Sequence, residues 1–121
     1  MAKYFSEAEL KCKCGCGEAK TDLDFLSLLD LLREEFGKPV ILSSAYRCPE
    51  YNAKVSSTGA NGPHTTGKAV DILARGTDAY TIMKIATKLG FTGIGVSQRG
   101  VSRFIHLDTL VNDMRPWVWS Y

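Results

Sequence analysis

The chain has two histidines, and the first, His64, stands seven residues before an aspartate in the stretch GPHTTGKAVDI, residues 62–72. That aspartate, Asp71, lies between Val70 and Ile72. A carboxylate in an apolar run is expensive to bury unless a salt bridge, a hydrogen-bonded turn or a metal ion holds it. The second histidine, His106, sits in FIHLD, residues 104–108. If 69–73 and 101–108 are strands, alternation puts Val70 and Ile72 on one face and Asp71 on the other. It likewise sets Phe104, His106 and Asp108 opposite Ile105 and Leu107. Two such neighbouring strands, with His64 delivered by the preceding loop, offer two imidazoles and a carboxylate. These are three ligands for zinc, with a fourth position left for water, and zinc lowers the pKa of that water to about 7. The competing readings are a hydrogen-bonded sheet histidine at 106, and an Asp71 that caps a turn or pairs with Arg47 or Lys68.

Cys12, Cys14, Cys16 and Cys48 form a second candidate set. In a reducing compartment a metal site or free thiols are favoured over disulfides. The C-x-C-x-C spacing departs from the C-x₂₋₄-C pairs of zinc ribbons. A structural metal, a disulfide pair and simple thiols all stay open.

The elements that must position these groups can be read in order. Ser6 and Glu9 form a capping box with Phe5 and Leu10 as a hydrophobic staple, so a short helix begins there. Residues 12–17 are a loop. A helix over 22–36 buries Leu23, Leu26, Leu29 and Leu32 with Phe25 and Phe36, and Gly37 and Pro39 end it. Residues 40–44 read as a buried strand, and Pro49 suits the first turn of a short helix to about Val55. Residues 56–68, rich in Ser, Thr and Gly, form a long surface loop of the kind that carries function. A strand follows at 69–73, then a helix capped by Thr77 or Asp78, with Ile82, Ile85, Ala86 and Leu89 facing inward and Gly90 as its stop. Residues 94–97 and 101–108 form a hairpin turning at 98–100, and 115–119 an edge strand. The pattern is one α+β domain over residues 1–121, with no internal repeat or linker.

Bulk composition agrees. The 121 residues allow one core, and 45% hydrophobic with 23% charged residues is globular composition. The net charge of +2 comes from scattered Lys and Arg with no basic run, which argues against nucleic acid as a partner. No apolar stretch reaches the roughly 20 residues of a membrane span. The first residues lack the apolar core of a secretory signal, so the protein is expected in the cytoplasm as synthesised, and as a monomer.

The stretches SSAYRCPEYNAKV, GPHTTGKAVDI, FIHLDT and RPWVW occur in the order and wording of the M15 zinc peptidases. The chain resembles their short branch of D-alanyl-D-alanine carboxypeptidase-like and murein-endopeptidase-like proteins, which includes phage endolysins. The resemblance implies an α+β fold with a central antiparallel sheet packed by helices, shared with hedgehog-type domains. It makes His64, Asp71 and His106 the zinc ligands and Arg47 the arginine that faces the substrate. A guanidinium there suits a substrate carboxylate or a developing oxyanion. Better-studied branches carry an acid a few residues before the last histidine. Here 101–104 read Val-Ser-Arg-Phe, and Gly62 stands where the family usually has Ser. Asp108 is therefore the candidate either for the general base or for a partner that orients His106, against a plain reading in which it ends the strand by accepting a loop amide. The implied activity is zinc-dependent hydrolysis of an amide bond in peptidoglycan stem peptides or cross-links, with the bond itself unassigned. A phage endolysin released to the cell wall through a holin fits best. The alternatives are a zinc-binding module without catalysis and a phage structural module on the same fold.

Overall fold

The computed structural model describes residues 3–121. Helix α1 (Glu7–Leu10) starts with the expected capping box: Glu9 N–H donates to the Ser6 hydroxyl, and Ser6 N–H donates to the Glu9 carboxylate. Phe5 and Leu10, the two ends of the staple, are both buried. Helix α2 (Leu23–Phe36) opens with Phe25 N–H donating to the Asp22 side chain and closes at Gly37 in the left-handed region. Its buried stripe is Phe25, Leu26, Leu29 and Leu32. Leu23 departs from the expectation: at the first helical position, before the packed stripe begins, it is 67% exposed.

Strands β1 (Ile41–Ser44), β2 (Ala69–Leu73), β3 (Gly93–Ser97), β4 (Phe104–Asp108) and β5 (Trp117–Ser120) form one sheet in the order β1-β2-β4-β3-β5. Pairing is antiparallel from β1 through β3, as the sequence predicts, but β5 runs parallel to β3. Both the last residue of β4 and the first of β5 register with Gly93. The connecting segment therefore arches over one end of β3 and sets β5 antiparallel to β4, so the sheet is mixed. The expected buried strand at 40–44 is a sheet edge with Ile41 exposed. A register irregularity between Leu42 and Ser44 re-aims the chain, so that Leu42 pairs with Ile72 while Ser44 comes opposite Asp71.

Helix α3 (Pro49–Val55) has Pro in its first turn as expected. The loop that follows is more ordered than its composition implies, with short 3₁₀ turns at Gly59–Asn61 and Pro63–Thr66. Helix α4 (Gly76–Leu89) begins after Arg75, so Thr77 and Asp78 lie inside its first turn and do not cap it. Strand β4 starts at Phe104, which leaves 98–103 as the connection from β3. No helix among the described residues is long and apolar enough to cross a membrane.

The two faces of the sheet divide the labour. Val70, Ile72, Ile105 and Leu107 are fully buried and join α2 and α4 in one apolar core. The opposite face carries Asp71, His106 and Asp108, all buried as well. Register sets Asp71 opposite His106 across β2 and β4, and Gly93 opposite Asp108 across β3 and β4. Gly93 is required by that second pairing, because a Cβ there would run into the Asp108 carboxylate. Gly93→Ala is expected to lower the unfolding free energy by about 1–3 kcal/mol, the cost of overpacking. Urea titration of both proteins measures it, and an unchanged midpoint would show that the carboxylate has room to move.

Candidate active site

Three elements bring the sequence-predicted ligands together. Asp71 comes from the middle of β2, His106 from the middle of β4, and His64 from the 3₁₀ turn after Pro63. One ligand atom from each of the three lies within 4.8 Å of the other two. Asp71 Oδ1 is 3.3 Å from His64 Nε2 and 3.1 Å from His106 Nδ1. A tetrahedral ion with ligand distances of 2.0–2.1 Å would set its donors about 3.3 Å apart, so the spacing fits zinc.

The outer nitrogen of each ring is also held. His64 Nδ1 lies 2.7 Å from the Ala45 carbonyl, which can only accept, so this nitrogen carries the proton. His106 Nε2 lies 2.8 Å from Asp108 Oδ2 and donates to it in the same way. In neutral rings the lone pairs then sit on His64 Nε2 and His106 Nδ1, both aimed at one oxygen of Asp71. Acceptors that converge this closely need a proton or a cation among them. The donor set could hold a metal ion, with a carbonyl and a carboxylate fixing the two tautomers from behind.

Electrostatics point the same way. Burial works against charge on Asp71, but His106 and His64, when protonated on the nitrogens that face it, outweigh it by hydrogen bonding and hold its carboxyl far below the usual carboxylate range. Burial likewise opposes a charged His106, yet Asp108 and Asp71 raise its pKa above the ordinary value. The site is built to surround positive charge.

Arg47 approaches from the loop after β1. Its Nε donates to Ser44 Oγ at 3.0 Å and its Nη1 to Asn52 Oδ1 at 3.1 Å, while Nη2 stands 3.5 Å from Asp71 Oδ2. The pairing of Asp71 with Arg47 and the convergence of Asp71 on the histidines are thus compatible, one on each carboxylate oxygen. Lys68 takes no part in it. Arg47, His64, Asp71 and His106 all line an open cleft of about 530 Å³, and Trp117, Trp119 and Tyr121 form part of its wall, with the Trp119 ring centroid 5.1 Å from that of His106.

Of the two roles expected for Asp108, the structure supplies the contacts of the partner that orients His106. Asp108 is fully buried and does not line the cleft. Besides His106, its oxygens accept from Arg115 Nε at 3.0 Å, from Arg115 Nη2 at 2.9 Å and from Leu110 N–H at 3.3 Å. The loop-amide contact of the plain reading is therefore present too, made by the same carboxylate. Burial opposes its charge, but His106 and Arg115 bring the pKa down to about 2.

The profile of the family described as Peptidase M15 matches residues 3–108. This chain belongs to the M15 peptidase family. No curated protein matches the chain. The M15 match ends at Asp108, and Arg115 and the aromatic wall of the cleft follow it. These, with Ser44 and Asn52, are the site residues that residue-type reasoning missed. Arg115 opens the RPWVW stretch and Asn52 sits in YRCPEYN, but nothing in either spacing says what they touch.

Removing the Arg115 guanidinium would leave Asp108 charged and buried with only an imidazole and the Leu110 N–H for partners. Arg115→Met is expected to cost about 3–5 kcal/mol, the usual penalty for breaking a buried pair from one side. Thermal or urea unfolding reads this directly, and a loss under 1 kcal/mol would mean that water replaces the guanidinium.

Proposed function

We propose that this M15 peptidase is a zinc-dependent enzyme that hydrolyses an amide bond in peptidoglycan stem peptides or cross-links, as phage endolysins of this kind do. The observation that carries the reading is the convergence of His64 Nε2, Asp71 Oδ1 and His106 Nδ1 at the floor of a peptide-sized cleft. Zinc held by these three atoms would supply a Lewis acid to polarise a carbonyl and acidify water.

The chain's own residues supply the rest. Asp71 and the two histidines are pre-positioned, since Ala45, Asp108 and Arg115 lock the rings and leave little to reorganise on metal binding. Arg47 presents a guanidinium fixed at Nε and Nη1, so its fork is held where a substrate carboxylate or a developing oxyanion can be met from one side. Trp117, Trp119 and Tyr121 give the cleft an amphipathic wall against which a peptide stem can lie. A second reading is favoured by one observation: the cleft lining contains no carboxylate other than Asp71 to take up a proton. That reading is a zinc-binding module of the same fold without catalysis.

Purified protein incubated with isolated sacculi separates the two. The enzyme should release muropeptides whose masses identify the bond, lose that activity to a chelator and regain it with zinc. Bound zinc with no released product would establish the non-catalytic module.

Two substitutions probe the roles. Arg47→Lys keeps the charge but not the planar two-point contact, and is expected to lower kcat/KM at least about tenfold with zinc retained. Equal turnover by the Lys variant removes Arg47 from substrate binding. Asp108→Asn is expected to weaken zinc binding by about 10–100-fold, with most turnover restored at saturating zinc, because its part is to orient His106. A turnover loss of about 10²-fold that saturating zinc does not repair would instead assign Asp108 to proton transfer.

A further inference from the structure

The four cysteines take no part in the cleft, yet they are gathered as closely as the histidine site. Cys12 and Cys48 are buried, Cys14 and Cys16 are exposed, and one Sγ from each lies within 4.8 Å of all the others. We infer that Cys12, Cys14, Cys16 and Cys48 form a second metal centre, a closed four-thiolate zinc site that fastens the amino-terminal loop to the segment carrying Arg47.

The distances carry this. Cys12 Sγ is 3.4 Å from Cys14 Sγ and 3.7 Å from Cys48 Sγ, and Cys14 Sγ is 3.6 Å from Cys48 Sγ. A disulfide needs about 2.05 Å, and it joins sulfurs in pairs, whereas here three are mutual neighbours. A tetrahedron with zinc–sulfur arms of 2.3 Å has edges of about 3.8 Å, close to all three separations. Alternate residues of an extended chain stand about 7 Å apart, so the 3.4 Å between Cys12 and Cys14 needs a tightly curled segment. Gly15, at φ +92°, provides the left-handed turn that brings Cys16 round. Cys48 N–H donates to Cys12 Sγ at 3.3 Å, a bond that favours the thiolate.

The donor set selects the metal. Four sulfurs in a tetrahedron suit zinc or iron and leave no position for water, which makes the site structural. What it would hold is also on the page. Cys48 follows Arg47 directly and caps α3, the helix that supplies Asn52 to the Arg47 guanidinium. Tyr46 N–H reaches back to the Leu10 carbonyl at 3.3 Å, so the two segments already touch beside the cysteines.

The experiment uses the full chain purified without chelator. Wild-type protein is expected to hold about two zinc ions, and a His64→Ala/His106→Ala variant about one. Cobalt exchanged into that variant should give intense thiolate-to-cobalt charge-transfer absorption, which Cys14→Ser abolishes. Should the histidine variant not fold, alkylation of the wild type decides: the exposed Cys14 and Cys16 should react at least about tenfold more slowly in the zinc-loaded protein than after strong chelation. Equal alkylation rates, a mass deficit revealing disulfides, or cobalt spectra without sulfur ligation would each overturn the site. Iron in place of zinc would overturn the metal's identity. The cobalt, alkylation and mass readouts depend neither on hydrolysis nor on the histidine site, so failure here and failure of the peptidase reading are distinguishable.

Discussion

A carboxylate buried between two imidazoles has to be balanced by positive charge, and the polar face of the sheet is arranged around that requirement at Asp71. One oxygen of Asp71 faces His64 and His106, and the other faces Arg47. This is possible because antiparallel pairing sets Asp71 opposite His106 on adjacent strands. A slip of one residue in that register would turn His106 toward the helices and bring Ile105 or Leu107 to the cleft. The apolar residues on either side of Asp71 and of His106 prevent the slip. Val70, Ile72, Ile105 and Leu107 are fully buried against α2 and α4, so the core that stabilises the fold also fixes the geometry of the site.

Behind His106 lies a second buried ion pair, Asp108 with Arg115, of which Arg115 lines the cleft and Asp108 does not. Such a pair is poor evidence for stability, since an apolar pair of similar volume often serves as well. Its value here is positional. The carboxylate fixes which nitrogen of His106 carries the proton, and the guanidinium keeps the carboxylate from competing for the site. Gly93 completes the arrangement by leaving room over β3 for the Asp108 carboxylate.

Arg47 ties together the end of β1, helix α3 and the turn that carries His64. Its guanidinium is steadied by Ser44, which the irregularity in β1 turns toward Asp71, and by Asn52 from α3. Asn52 is itself fully buried and donates to Thr58 and to the Gly59 carbonyl, so the loop before His64 is tied to the same helix. Arg47 N–H donates to the His64 carbonyl at 3.1 Å, which links the loop that carries the arginine to the turn that carries the histidine. The inferred cysteine centre would act on this loop at the very next residue, beside the small apolar cluster that Tyr46 and Tyr51 form with Cys12 and Cys48.

Much of the fold was legible in the sequence because its signals are local. The capping box at Ser6 and Glu9, the stops at Gly37 and Gly90 and the alternation of 69–73 depend on neighbours a few residues away. His64, Asp71 and His106 could be singled out as candidate ligands for a related reason. A carboxylate and an imidazole inside apolar strands have few affordable surroundings, and the M15 wording selects among them. Other features rest on contacts between distant segments. Leu23 and Ile41 are apolar yet exposed, which only the placement of α2 and the edge position of β1 decide. Whether the last strand runs parallel or antiparallel to its neighbour depends on the path of residues 109–116 over β3, and no residue pattern in the strand itself records it. The place of Asp108 shows the limit most clearly. Alternation puts it on the face of His106, but a side chain on that face can point along the strand to either side of the ring. Only the approach of Arg115 from beyond β4 draws the carboxylate behind the imidazole and away from the cleft.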